Sequence, residues 1–155
     1  MKTTGGSGRT NFESIKLLCQ SVARRLEQAG MIAIDREKRG DLVDSFAQAM
    51  SKHILTQEDM ETTVLSSIGE KNEELDDLRL SGGEAYRTLK QSWMSKYGEN
   101  EVDGLYFQEP IKYIAARMIG WLMKSPFVEE VFEEDAVLEK AIVQTIGSFR
   151  RSKLH

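Results

Sequence analysis

The sequence predicts an all-α fold, a compact bundle of about six helices built from two similar helical hairpins. Three observations carry this. Apolar residues recur at helical spacing in segment after segment, and only two prolines interrupt 155 residues. A displacement of 96 positions also lays one apolar pattern on another: Ile15, Leu18, Cys19, Val22 and Leu26 fall on Ile111, Ile114, Ala115, Met118 and Leu122. Past the helix, Gly30, Met31 and Ile32 fall on Pro126, Phe127 and Val128, and Leu42, Phe46 and Met50 on Leu138, Ile142 and Ile146.

The elements follow in order. Residues 1–10 carry Gly5, Gly6, Ser7 and Gly8, with little to bury and much backbone entropy, so they read as a flexible leader. Thr10 and Glu13 have capping-box spacing ahead of the stripe Ile15, Leu18, Cys19, Val22, Leu26 and Ala29, and Gly30 supplies a C-terminal stop. Met31 to Ile34 is too short for a helix and reads as a turn or a short strand. A second helix presents Leu42, Phe46, Ala47, Met50 and Ile54, its start blurred by Gly40. Thr56 and Asp59 open a third segment, and from Gln57 to Arg79 eight acids face two bases, which makes one side of it strongly negative.

Gly82 and Gly83 break the chain before a helix marked by Tyr86, Leu89, Trp93 and Tyr97, which Gly98 stops. Residues 99–109 read as a loop containing Gly104. Pro110 suits the first turn of a helix with the face Ile111, Ile114, Ala115, Met118 and Leu122, ended by Ser125 and Pro126. After Phe127, Val128, Val131 and Phe132, Asp135 can cap a last helix bearing Leu138, Ala141, Ile142, Ile146 and Phe149. The expected organisation is a single domain over 11–155. It divides into a first hairpin at 11–55, acidic and bridging helices at 56–109, a second hairpin at 110–150 and a basic tail at 151–155.

With 21 Lys plus Arg against 25 Asp plus Glu, the net charge is -4, which argues against nucleic-acid binding through the field of the whole molecule. The single Cys19 forms no internal disulfide, and the polar start lacks the apolar core of a signal peptide, so a reducing, cytoplasmic setting is expected. No run approaches the roughly 20 apolar residues of a bilayer span, so no integral membrane association is expected.

The order Ile15, Val22, Leu26, then Ala29-Gly30-Met31-Ile32, the stretch containing Asp35 and the Leu42, Phe46, Met50 helix, recurring from Ile111 to Phe149, resembles the bacterial family catalogued as domain of unknown function 507. The resemblance covers most of the chain after Asn11. It implies a helical fold and a bacterial origin, and brings no activity or catalytic residues. The second copy departs from the pattern by having Pro126 where the glycine stands in the first.

Catalytic constellations are hard to assemble from these residues. The two histidines, His53 and His155, sit at a helix end and at the chain end, and Cys19 lies on an apolar stripe where it reads as a small buried hydrophobe. One Cys and no helically spaced His pair disfavour zinc and di-iron sites. The carboxylate pairs Asp41 with Asp44 and Glu73 with Asp77 read as solvated surface acids, and neither glycine cluster has the strand-to-helix context of a phosphate loop. No catalytic residue, cofactor or metal is therefore assigned.

Surfaces are more informative. Glu73, Asp76 and Asp77, together with Glu129, Glu130, Glu133 and Glu134, form single-sign patches suited to a basic protein partner. Tyr106 and Phe107 either pack on the core or offer an aromatic anchor to that partner. Arg24, Arg25, Arg150, Arg151 and Lys153 form a basic set able to touch phosphates. The expected function is a non-enzymatic bacterial interaction or regulatory module that binds another protein. The alternative is a nucleic-acid or ribosome-associated factor using the basic tail, and a third reading is a small enzyme or ligand-binding bundle. Paired apolar stripes leave a homodimer open.

Overall fold

The computed structural model describes residues 5–70 and 82–150. Six α-helices lie among them: α1 (Gly5–Gln28), α2 (Arg39–Met50), α3 (Gln57–Glu70), α4 (Gly82–Tyr97), α5 (Ile111–Lys124) and α6 (Asp135–Ser148). Five short strands, β1 (Ile32–Ile34), β2 (Ile54–Thr56), β3 (Glu101–Val102), β4 (Leu105–Phe107) and β5 (Val128–Val131), form two small antiparallel sheets. The architecture is thus mostly helical and not purely all-α. No helix among the described residues is long and apolar enough to cross a membrane.

The first helix starts at Gly5, ahead of the expected Thr10 cap, and ends where glycine was expected to end it. Gly30 sits at φ 74°. Its N–H donates to the Glu27 carbonyl at 3.0 Å and that of Met31 to the Leu26 carbonyl at 2.9 Å, the paired bonds of a Schellman motif. At the corresponding end of α5, the Ser125 Oγ accepts from the Phe127 N–H at 3.2 Å, so a serine turn and Pro126 do the work of the glycine.

Three expectations need correction. Ile54 does not extend the second helix: α2 stops at Met50, and Ile54 pairs with Phe107 in an antiparallel sheet. Residues 99–109 are no open loop, because β3 and β4 form a hairpin whose turn residues Asp103 and Gly104 both have positive φ, 48° and 87°. That is the backbone of a tight hairpin turn, and Asp-Gly is one of its strongest sequence signals. Asp135 is the first residue of α6 and Glu134 precedes it as the cap position, with no side-chain bond. Thr56 and Asp59 do cap α3 reciprocally: Asp59 N–H donates to Thr56 Oγ1 at 3.2 Å, and Thr56 N–H to Asp59 Oδ2 at 2.9 Å.

Core packing follows the apolar stripes. α1 buries Ile15, Leu18, Cys19, Val22, Ala23 and Leu26, and α5 buries Ile114, Ala115, Met118, Ile119 and Leu122. With Leu42, Phe46, Ala47 and Met50 of α2 and Leu138, Ala141, Ile142 and Ile146 of α6, they form one continuous cluster. Trp121 stacks on Phe46 with centroids 4.7 Å apart. β1 and β5 fasten the two hairpins together, pairing Ile32 with Val131 and Ala33 with Glu130. A second cluster, smaller among the described residues, joins Met60, Val64 and Trp93 between α3 and α4.

Candidate functional site

Side-chain alternation along β4 decides the fate of the expected aromatic anchor. In the sheet order β2, β4, β3 this strand is central, and Leu105, Tyr106 and Phe107 are all buried. Leu105 and Phe107 join the main cluster, while Tyr106 turns the other way, edge-on to Trp93 at 6.2 Å. Its hydroxyl donates to Gln57 Oε1 at 2.9 Å. Tyr106 and Phe107 are therefore not surface anchors, because both faces of a central strand are covered here.

The acidic candidates divide. Glu73, Asp76 and Asp77 lie outside the described residues, as do Arg151 and Lys153 of the basic set. Glu129 and Glu130 on β5, and Glu133 and Glu134 before α6, are exposed. Among them stand two apolar groups that sequence reading left out of the surface: Phe132 is 55% exposed and Val137 39%. The signal was local, since Phe132 interrupts a run of acids and has no helical partner to cover it. β5 is bonded to β1 along one edge and, among the described residues, to no strand along the other. It is an edge strand guarded by carboxylates.

The basic candidates converge around α1. Arg25 and Arg150, distant in sequence, line one cleft of about 420 Å³ between α1 and α6, with Ser21, Gln144, Thr145, Ser148 and Phe149. Arg24, one helical step from Arg25, borders a groove of about 600 Å³ on the other side, between α1 and α2. Lys16 and Arg39 line that groove too, but each is matched: Lys16 to Asp44 at 2.8 Å and Arg39 to Glu27. The bond from Arg39 to Glu27 holds the guanidinium charge more firmly, raising its pKa. Arg24, Arg25 and Arg150 have no ion pair among the described residues. The Arg150 Nη1 donates to the carbonyls of Gly147 and Phe149 at 3.3 and 2.6 Å, which sets its guanidinium at the end of α6.

Elsewhere, burial pushes the Cys19 thiol far up, so this side chain stays protonated as a core residue. The hydrogen bond from Arg117 holds the Glu109 carboxyl below its usual range on the surface. Among the described residues no group of three or more His, Cys, Asp or Glu is placed to hold a metal ion. No family model matches the chain, and no curated protein matches it either.

Proposed function

We propose that this chain is a non-enzymatic interaction module, bacterial and cytoplasmic, that binds another protein along the acidic edge of β5 and the start of α6. The observation that carries the reading is the meeting of Glu129, Glu130, Glu133 and Glu134 with exposed Phe132 and Val137 beside an edge strand. An extended basic segment with an apolar residue matches all three features: it adds backbone bonds to the edge, meets carboxylates with cations and covers Phe132.

The same proposal includes descent of the two hairpins from one repeated unit, and kinship with the bacterial domain of unknown function 507 family. Supporting the repeat, positions 96 apart share burial: Leu18 with Ile114, Cys19 with Ala115, Val22 with Met118, Leu26 with Leu122, Leu42 with Leu138, Phe46 with Ile142 and Met50 with Ile146 are all buried. In each half a strand of the shared β1 and β5 pair follows the first helix. Supporting the kinship is the order of a glycine-ended helix, a short strand and a second helix.

The test is direct. A panel of Lys-rich and Arg-rich peptides with alternating apolar residues is titrated against labelled protein by NMR. We expect salt-sensitive binding with shifts confined to residues 128–137, lost in the Glu129→Lys, Glu130→Lys double variant. Absence of binding across the panel, or binding that the double variant leaves intact, contradicts the reading.

A further inference from the structure

α1 stands as a ridge between two furrows, and the charge on that ridge opposes the charge of the whole molecule. Among the described residues five cations and one acid line the two clefts, a net +4 on a chain whose total is -4. Lys16 and Arg39 are neutralised by Asp44 and Glu27, which leaves Arg24, Arg25 and Arg150 as the charges on offer. All three are exposed. We infer that this ridge is a second docking surface, independent of the acidic edge, and that its occupant is duplex nucleic acid held by its phosphates.

Three features favour that occupant over an acidic protein. The first is the chemistry of the rim: guanidinium groups present planar forks that fit phosphate oxygens, and the amides of Gln20, Gln28 and Gln144 flank them. The second is what the rim lacks. Protein interfaces centre on apolar or aromatic anchors, yet none of the exposed large hydrophobics among the described residues lines either cleft; the apolar side chains that do, Ala23, Ile34, Leu42 and Phe149, are buried, and Val43 is half-buried. The third is that the described residues offer no stacking surface in either cleft. Phe149, the one aromatic among the described residues that line the clefts, is buried, so unpaired bases find no exposed ring there, whereas a duplex shows mainly its backbone.

Local structure keeps the furrows open. Ser21, Thr145 and Ser148 fold their hydroxyls down onto the carbonyls of Leu17, Ala141 and Gln144, at 3.0, 2.8 and 2.8 Å, so short side chains hug their helices beside Arg25 and Arg150. Across the ridge, Gly40 lines the larger groove with nothing within 4 Å of where a Cβ would stand. Its φ is not positive, so the backbone does not demand glycine there. Gly120 and Gly147 also face open space but line neither cleft.

The experiment measures anisotropy of a labelled short DNA duplex, the matching RNA duplex and the single strand, titrated with the full chain at several salt concentrations. Binding to a duplex of either kind is expected, with log affinity falling against log salt at a slope of about -2.7 for three neutralised phosphates. That is about a 40-fold loss between about 50 and 200 mM salt. Arg24→Gln, Arg25→Gln and Arg150→Gln should each lower the slope by about 1. The triple variant should lose binding while keeping the wild-type circular dichroism spectrum, and Arg87→Gln on α4 should bind like wild type. No duplex binding at low salt, undiminished binding by the triple variant, tighter binding of the single strand, or equal competition by polyglutamate at matched charge would each overturn the inference.

Discussion

The cluster shared by the two hairpins and the cluster between α3 and α4 meet at the paired strands β2 and β4, and are built to different standards. The first draws on four helices and both sheets, and large members such as Phe46, Phe107, Leu18 and Met118 are fully enclosed. The second has, among the described residues, three that are buried, Met60, Val64 and Trp93, bordered by partly covered Leu55, Ile68, Tyr86, Leu89 and Tyr97. Trp93 Nε1 is buried without a hydrogen-bond partner among the described residues. Burial of apolar area is the main favourable term in folding, so stability should reside in the hairpins, with α3 and α4 as a less stable annex. Both proposed docking surfaces lie on the hairpins, the part expected to be the more stable.

Breaking the main cluster should cost most. Phe46→Ala removes a fully buried ring and its stack with Trp121, and we expect a loss of about 3–5 kcal/mol, seen as a fall in Tm of about 10 °C or more. Trp93→Ala attacks the smaller cluster. It should cost about 2 kcal/mol, because the truncation also removes an indole N–H that is buried without a bond. A Trp93→Ala variant as damaging as Phe46→Ala would erase the distinction between the clusters.

Smaller changes sharpen it. Asp59→Ala removes the carboxylate that accepts from Thr56 at the start of α3, and should cost about 1 kcal/mol, with faster amide exchange confined to α3. The least effect is expected at Glu109. Its pKa is lowered in the fold by the bond from Arg117, so its contribution is present above the unfolded value of about 4.3 and fades as pH falls through the lower folded value. Both partners are at the surface, so Glu109→Gln should lower Tm slightly at neutral pH, less at high salt, and not at all in strong acid.

What could be read in advance were the features set by neighbours in sequence. The buried stripes of α1, α2, α5 and α6, the stop at Gly30 and the opening of α3 at Thr56 and Asp59 depend on spacing within a turn or two of helix. The features that escaped depend on distant partners. Strand β2 exists because β4 lies beside it, and no periodicity in residues 54–56 announces that. Tyr106 was a candidate anchor until Gln57 and Trp93 covered it. The turn at Asp103 and Gly104 was the exception, a local signal present in the sequence and passed over. For the site, Arg24 and Arg25 were visible as a pair, but their separation onto two sides of α1, and the meeting of Arg25 with Arg150, follow only from the packing of α1 on α6.

Native-state hydrogen exchange across a denaturant series tests most directly whether the two hairpins share one core. Protected amides of α1, α2, α5 and α6 should open together, at the free energy of global unfolding, while those of α3 and α4 open earlier as a separate unit. If α1 and α2 instead opened at one free energy and α5 and α6 at another, with α3 and α4 as protected as either, the common core would be contradicted.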